Sequence, residues 1–174
     1  MSQLRATAPT FTRPNDTTAY ASGDLVANST TAGSVTALAF LFDRVNMAGA
    51  MVRRATLLKS NNGVTSAAFR LHLFSAVPTF TSAGDNSAIS SVVQGNANYL
   101  GALDITGMTG LQDGANGNGI PLAGTEIIWQ PNTGGVDALN RVTLYGVLEA
   151  RGAYAPAAQE TFSVALDILP IPNF

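Results

Sequence analysis

Apolar and polar residues alternate along several short stretches of the chain, which is the period of a β-strand with one buried face. Residues 161–168, TFSVALDI, place Phe162, Val164 and Leu166 on one face and Ser163 on the other. Further strand-like runs occur at 18–28, 34–42, 51–60, 67–76, 98–105, 125–130 and 141–150. The pattern therefore predicts about eight strands separated by turn residues.

No amphipathic stretch of helical period is sustained, although residues 84–98 can hold a helical turn. Many short strands with glycine-rich turns predict an all-β fold, here a two-sheet antiparallel sandwich of the jelly-roll kind. Alternating apolar faces would supply the core between the sheets, with Trp129 in that core or at its rim. We expect a single β-sandwich domain over residues 19–174.

Two local segments rich in glycine and asparagine favour turns. Asn62-Gly63 is the strongest β-hairpin signal in the chain. Residues 111–119, LQDGANGNG, suggest a calcium loop, but a loop starting at Asp113 would have Ala115 and Gly117 at ligand positions. Neither side chain carries oxygen, so we predict a flexible surface loop.

Residues 1–18 are predicted to form an extended N-terminal arm, because Pro9 and Pro14 disfavour a helix interior and a central strand. Leu4 and Phe11 would be the apolar contact residues through which the arm docks on a neighbouring protein. The candidate partner contacts are Leu4, Arg5, Phe11 and Arg13. A frayed terminus and an arm laid across its own domain are the alternatives.

Charge is unusually scarce: Asp, Glu, Lys and Arg make up 11% of the 174 residues, against roughly 25% in an ordinary soluble domain. With a net charge of −2, a DNA-binding surface is not expected. A surface of Thr, Ser, Asn and Gly suits packing against another protein. An ordinary solvent-exposed surface with few charges explains the same composition equally well. Neither a transmembrane helix nor a signal peptide is expected.

Candidate chemistry is sparse. The chain has one histidine, His72, and no cysteine, which disfavours a histidine-rich metal site and excludes a cysteine nucleophile. No G-x-S-x-G marks a nucleophile elbow, and the glutamates show no catalytic pairing. We expect no catalytic, cofactor-binding or metal-binding residues, and no enzyme activity. One arginine of Arg53-Arg54 can pair with an acid at a subunit contact, or both are solvated.

The opening QLRATAPTFTRP, running into DTTAYASGDLVANSTTAGSV, resembles a family of small β-rich proteins encoded beside the capsid genes of tailed bacteriophages. The resemblance continues through FRLHLFSAVPTF, DNSA, NYLG and VTLYGVLEARGAYAP. It implies a decoration, or cement, protein: a jelly-roll subunit on the capsid exterior whose partner is the major capsid protein. It also implies a homo-oligomer, a trimer in preference to a dimer. No site residues, cofactor, nucleic acid or membrane come with it.

A glycan- or host-binding module of a head or tail fibre is the alternative function. Such a module presents a platform of exposed aromatic rings, for which Tyr145 is the best candidate. An enzyme with a cryptic site ranks below both, because acids and bases are so few.

Overall fold

The structure is a computed structural model that describes residues 4–6, 9–43, 47–121, 127–129 and 141–172. The strands are β1 Leu4–Arg5, β2 Thr10–Thr12, β3 Leu25–Val26, β4 Leu38–Asp43, β5 Met47–Lys59, β6 Phe69–Phe74, β7 Tyr99–Ile105, β8 Thr109–Leu111, β9 Gly114–Pro121, β10 Ile128–Trp129, β11 Arg141–Ala150 and β12 Thr161–Pro172. A single-turn helix, α1 Ser90–Val93, lies between β6 and β7. In these segments no helix has the length and apolar character needed to span a membrane.

The strands join one 12-stranded sheet in the order β1-β12-β5-β9-β7-β6-β11-β3, with β2 on β12, β4 on β11, β8 on β9 and β10 on β5. Every strand pair is antiparallel. Each predicted strand region contains a strand, and the predicted all-β class is confirmed. The two-sheet jelly-roll arrangement is not confirmed, because the described strands form one hydrogen-bonded sheet.

The sheet curls so that one face encloses the larger core. Phe69 on β6 and Phe162 on β12 are separated by β5, β9 and β7, so a flat sheet would hold them about 19 Å apart at roughly 4.8 Å per strand. Their ring centroids are 5.7 Å apart. Trp129 is buried in this core against Phe42, as predicted.

A second, smaller core covers part of the opposite face. The chain around α1 and the chain before β4 bring Phe80, Ile89 and Leu25 onto Phe74 and other side chains of β6 and β11. In sequence, Phe74 alternates onto the same face of β6 as Arg70 and His72, which are residue types usually exposed to solvent. That face is instead largely covered, so both sides of β6 are removed from water.

The predicted loop at 111–119 is wrong for most of its length. Residues 112–113 form a tight turn, and β9 begins at Gly114 and pairs with β5. Gly117 and Gly119 face inward, where a Cβ on Gly119 would lie 2.5 Å from Cγ1 of Ile105. Glycine therefore lets core side chains contact the β9 backbone directly. In sequence this strand resembles a loop, because its inward positions carry only glycine or alanine.

The predicted hairpin at Asn62-Gly63 is also wrong. β5 pairs with β12 on one side and β9 on the other, while β6 pairs with β7 and β11. The turn therefore leads the chain away to another part of the sheet. Its backbone is held by Lys59, whose ammonium donates to the carbonyls of Asn61 and Gly63 at 2.6 Å each.

Candidate functional site

The N-terminal candidates for partner contact are built into the sheet of their own subunit. Leu4 pairs with Ile168 as part of β1, and Phe11 of β2 stacks on Phe162 with ring centroids 5.5 Å apart. Both side chains are half-buried. In residues 4–6 and 9–18, the arm therefore lies across its own domain, which is one of the alternatives left open by the sequence.

Arg13 cannot reach a partner from its position. Its guanidinium donates to Asp85 at 2.8 Å and to the Tyr20 hydroxyl, and the side chains of Arg13 and Asp85 are both 0% exposed. Asp85 also accepts from the Tyr20 hydroxyl and the Ala27 amide, at 2.7 Å each. Burial beside Asp85 raises the pKa of Tyr20, which keeps its hydroxyl protonated as a donor.

Arg5 is the candidate that remains exposed. Its side chain is 52% exposed and its Nε lies 3.8 Å from Asp167. Asp167 is held more closely by Arg54, with Nη2 at 2.8 Å. Arg54 thus pairs with an acid inside the subunit, whereas the sequence allowed a pair across a subunit contact or a solvated side chain.

His72 lies in a polar cluster that the sequence did not reveal. Its Nε2 is 2.7 Å from Glu149, and its Nδ1 is 3.2 Å from the Tyr99 hydroxyl. Arg151 donates to the second oxygen of Glu149 at 2.9 Å. Burial raises the pKa of Glu149, but the hydrogen bonds from His72 and Arg151 outweigh it, so this pKa lies below its usual value.

An open groove of about 390 Å³ runs past this cluster, lined by Arg70, His72 and Glu149 on the sheet and by Ser90 and Gln94 at α1. An imidazole and a carboxylate in contact can carry out proton transfer. Here Nε2 contacts a carboxylate and Nδ1 contacts a phenol hydroxyl, so the three side chains of His72, Glu149 and Tyr99 form one hydrogen-bonded chain.

Lys59, Tyr154 and Glu160 form a further buried cluster. Lys59 Nζ lies 2.9 Å from the Tyr154 hydroxyl and 3.2 Å from Glu160, and the Lys59 and Glu160 side chains are 0% exposed. Burial lowers the pKa of Lys59 despite the attraction of Glu160. In the part of the chain that the structure describes, no group of three metal-ligating side chains occurs and no buried side-chain N or O lacks a partner.

The tyrosines do not form the platform that a glycan-binding module needs. Tyr20 and Tyr154 are buried, and Tyr99 and Tyr145 are half-buried against the second core. Among residues 4–6, 9–43, 47–121, 127–129 and 141–172, no large hydrophobic residue that is exposed is aromatic. No observation there favours the glycan-binding alternative.

A broad exposed surface lies on the side of the sheet that faces away from the larger core. Across the adjoining strands β2, β12, β5, β9 and β8, the register aligns Thr10, Ser163, Leu58, Asn116 and Thr109 in one row. We call this row the threonine–asparagine face. All five side chains are exposed or half-exposed, and none is charged. The sequence did not reveal it because three of its strands, β2, β8 and β9, were not predicted.

No family model matches the chain, and no curated protein matches it. Among solved structures, it is similar to a chain of the full particle of Israeli acute paralysis virus heated to 63 degrees. The identity is 8% and the TM-score 0.34, covering 98% of this chain and 70% of that chain. A TM-score at this level does not establish a shared fold, so nothing passes from that virus to this protein.

Proposed function

We propose that the chain is a structural protein of a virion, a decoration protein that binds the outside of a phage capsid as a homo-oligomer and stabilises it. Its partner would be the major capsid protein. The sequence resemblance motivates the proposal, and the uncharged threonine–asparagine face supports the part of it that concerns a homo-oligomer. No charge has to leave water when such a face is buried, and its hydroxyl and amide groups lose little where a partner surface hydrogen-bonds them.

The stabilisation would be a linkage effect. A protein that binds only the assembled lattice favours that lattice by RT ln(1 + [L]/Kd), about 2.7 kcal/mol per site at one hundred times Kd. Many identical copies on one shell turn this modest gain into a large resistance to disassembly. Stabilisation of this kind requires no bond to be made or broken in either protein.

The test is binding of the purified protein to capsids that lack it, followed by cosedimentation and by measurement of the temperature at which the shells release DNA. We expect saturable binding and a higher release temperature. Capsids that neither bind the protein nor gain stability at saturating concentration would contradict the proposal.

Arg5→Glu probes the N-terminal candidate that is still accessible, and Arg53→Glu is the control, with the same charge change at another exposed arginine. If β1 contributes to the capsid contact, only Arg5→Glu weakens binding. Deleting residues 1–18 is a poorer test, because it also removes Arg13 and leaves Asp85 buried without its cation.

A further inference from the structure

The threonine–asparagine face has the anatomy of a protein interface. Leu58 stands at the centre of its row and is 42% exposed, with Ser163 and Asn116 on either side and Thr10 and Thr109 at the ends. An apolar centre inside a polar rim is how specific contacts between proteins are organised.

The charges nearest along β5 and β12 do not break this pattern. Arg54 and Asp167 lie on the same side of the sheet but pair with each other through two hydrogen bonds of 2.9 and 2.8 Å. The only lysine of β5, Lys59, points into the core. Between the row and this ion pair, Thr56 and Asn118 are hydrogen-bonded to each other at 3.0 Å.

The chemistry of the face selects its partner. A partner surface bearing charges would have to bury them opposite a row with no counter-charge, which is costly. An uncharged surface of the same kind meets no such penalty. Hydroxyl and amide side chains both donate and accept hydrogen bonds, so two such rows can satisfy each other.

A second copy of this chain presents that surface. A two-fold axis through the centre of the row would set Leu58 of one copy against the same leucine of the other and would bring the threonine and asparagine side chains into register around it. We infer that the threonine–asparagine face is the contact through which two copies of this chain associate.

The size of the face sets the expected strength. Five strands at about 4.8 Å spacing make the row roughly 20 Å long, and a row of that length that is one residue deep covers less than the ~800 Å² that each partner buries in a standard interface. Association should therefore be reversible and depend on concentration. The inference rests on the homo-oligomer of the proposed function, and it favours a dimer over the trimer that the family resemblance implies.

The test is sedimentation velocity of the full-length protein from about 1 to 200 μM, a range that brackets micromolar association. Leu58→Asp places a charge at the centre of the face and should weaken self-association at least ~10-fold, as expected for a central contact residue. Val77→Asp is the matched control, since Val77 is 61% exposed in the loop after β6 and should leave association unchanged.

Leu58→Thr is a second variant, used in case Leu58→Asp fails to fold, because threonine is uncharged and suits a strand. The Leu58→Thr protein should stay folded and self-associate more weakly than the native chain. A native chain that is monomeric throughout, one that forms a trimer, or a folded Leu58→Asp that still dimerises would overturn the inference. Capsid binding is scored separately: a monomer that binds capsids defeats only this inference, and a dimer that ignores them defeats only the proposed function.

Discussion

Replacing Arg13 with methionine should destabilise the folded protein strongly. The substitution keeps an unbranched apolar chain but removes the cation that lies 2.8 Å from Asp85, with both side chains 0% exposed. Asp85 would keep its hydrogen bonds from Tyr20 and the Ala27 amide but would lose its counter-charge. Breaking a buried pair in this way costs about 3–5 kcal/mol.

That loss is a large fraction of the total stability of an ordinary domain, about 5–15 kcal/mol. At about 2–4 °C per kcal/mol for a protein of this size, the melting temperature should fall by about 6–20 °C. Urea denaturation and scanning calorimetry at neutral pH measure both quantities. Adding Asp85→Asn to Arg13→Met should recover part of the loss, because the buried charge is then gone.

Arg5→Met is the control on the same segment. Arg5 is 52% exposed and 3.8 Å from Asp167, which keeps Arg54 as a partner, so we expect a loss below about 1 kcal/mol. If Arg13→Met were as mild as Arg5→Met, the buried network would not hold the N-terminal segment. The free docking arm predicted from the sequence would then be the better description.

Three further predictions concern packing, acid and the second buried ion pair. Gly119→Ala should lower the free energy of unfolding, measured by urea denaturation, by about 1–3 kcal/mol, because the new methyl group overpacks against Ile105. Asn118→Ala, at an exposed position, should change it by less than about 0.5 kcal/mol. Equal effects would contradict the inward orientation of the glycine. The hydrogen bond from Arg70 lowers the pKa of Asp104 in the folded protein. The ionised Asp104 therefore stabilises the fold fully above its unfolded pKa of about 3.9. This stabilisation is lost as the pH falls through the lower pKa of the folded state. The melting temperature of Asp104→Asn should therefore fall less steeply in acid than that of the native chain, and identical slopes would refute this. Lys59→Met should lower the free energy of unfolding, measured by calorimetry, by about 3–5 kcal/mol, and adding Glu160→Leu should recover most of this loss. A double variant no more stable than the single one would show that the unpaired charge is not the cause of the loss.

Strand identity was largely predictable, because side-chain alternation is a local property of the chain. β11 and β12 alternate clearly in sequence, and β12 extends the predicted run at 161–168 to Pro172. β9 was missed for a physical reason. Its inward positions are Ala115, Gly117 and Gly119, so the pattern that marks a strand lacks large apolar residues.

The candidate site was much less predictable. The row through Leu58 exists only because β2, β12, β5, β9 and β8 lie side by side. Apart from the neighbouring strands β8 and β9, they come from distant parts of the chain. The same holds for Arg13, which meets Asp85 across 72 positions of sequence. Nothing local distinguishes such an arginine from a solvated one.

By itself, the sequence determined that this protein is a charge-poor, all-β chain with few groups capable of acid–base chemistry, since composition and alternation are properties of each segment alone. Only the tertiary structure decided the order of the strands, the burial of the N-terminal segment and the position of an uncharged outer face. These depend on which distant segments share a hydrogen-bonded edge. The Asn62-Gly63 turn shows the limit, because β12 and β9 occupy both edges of β5 and leave no edge for the hairpin that the turn favours.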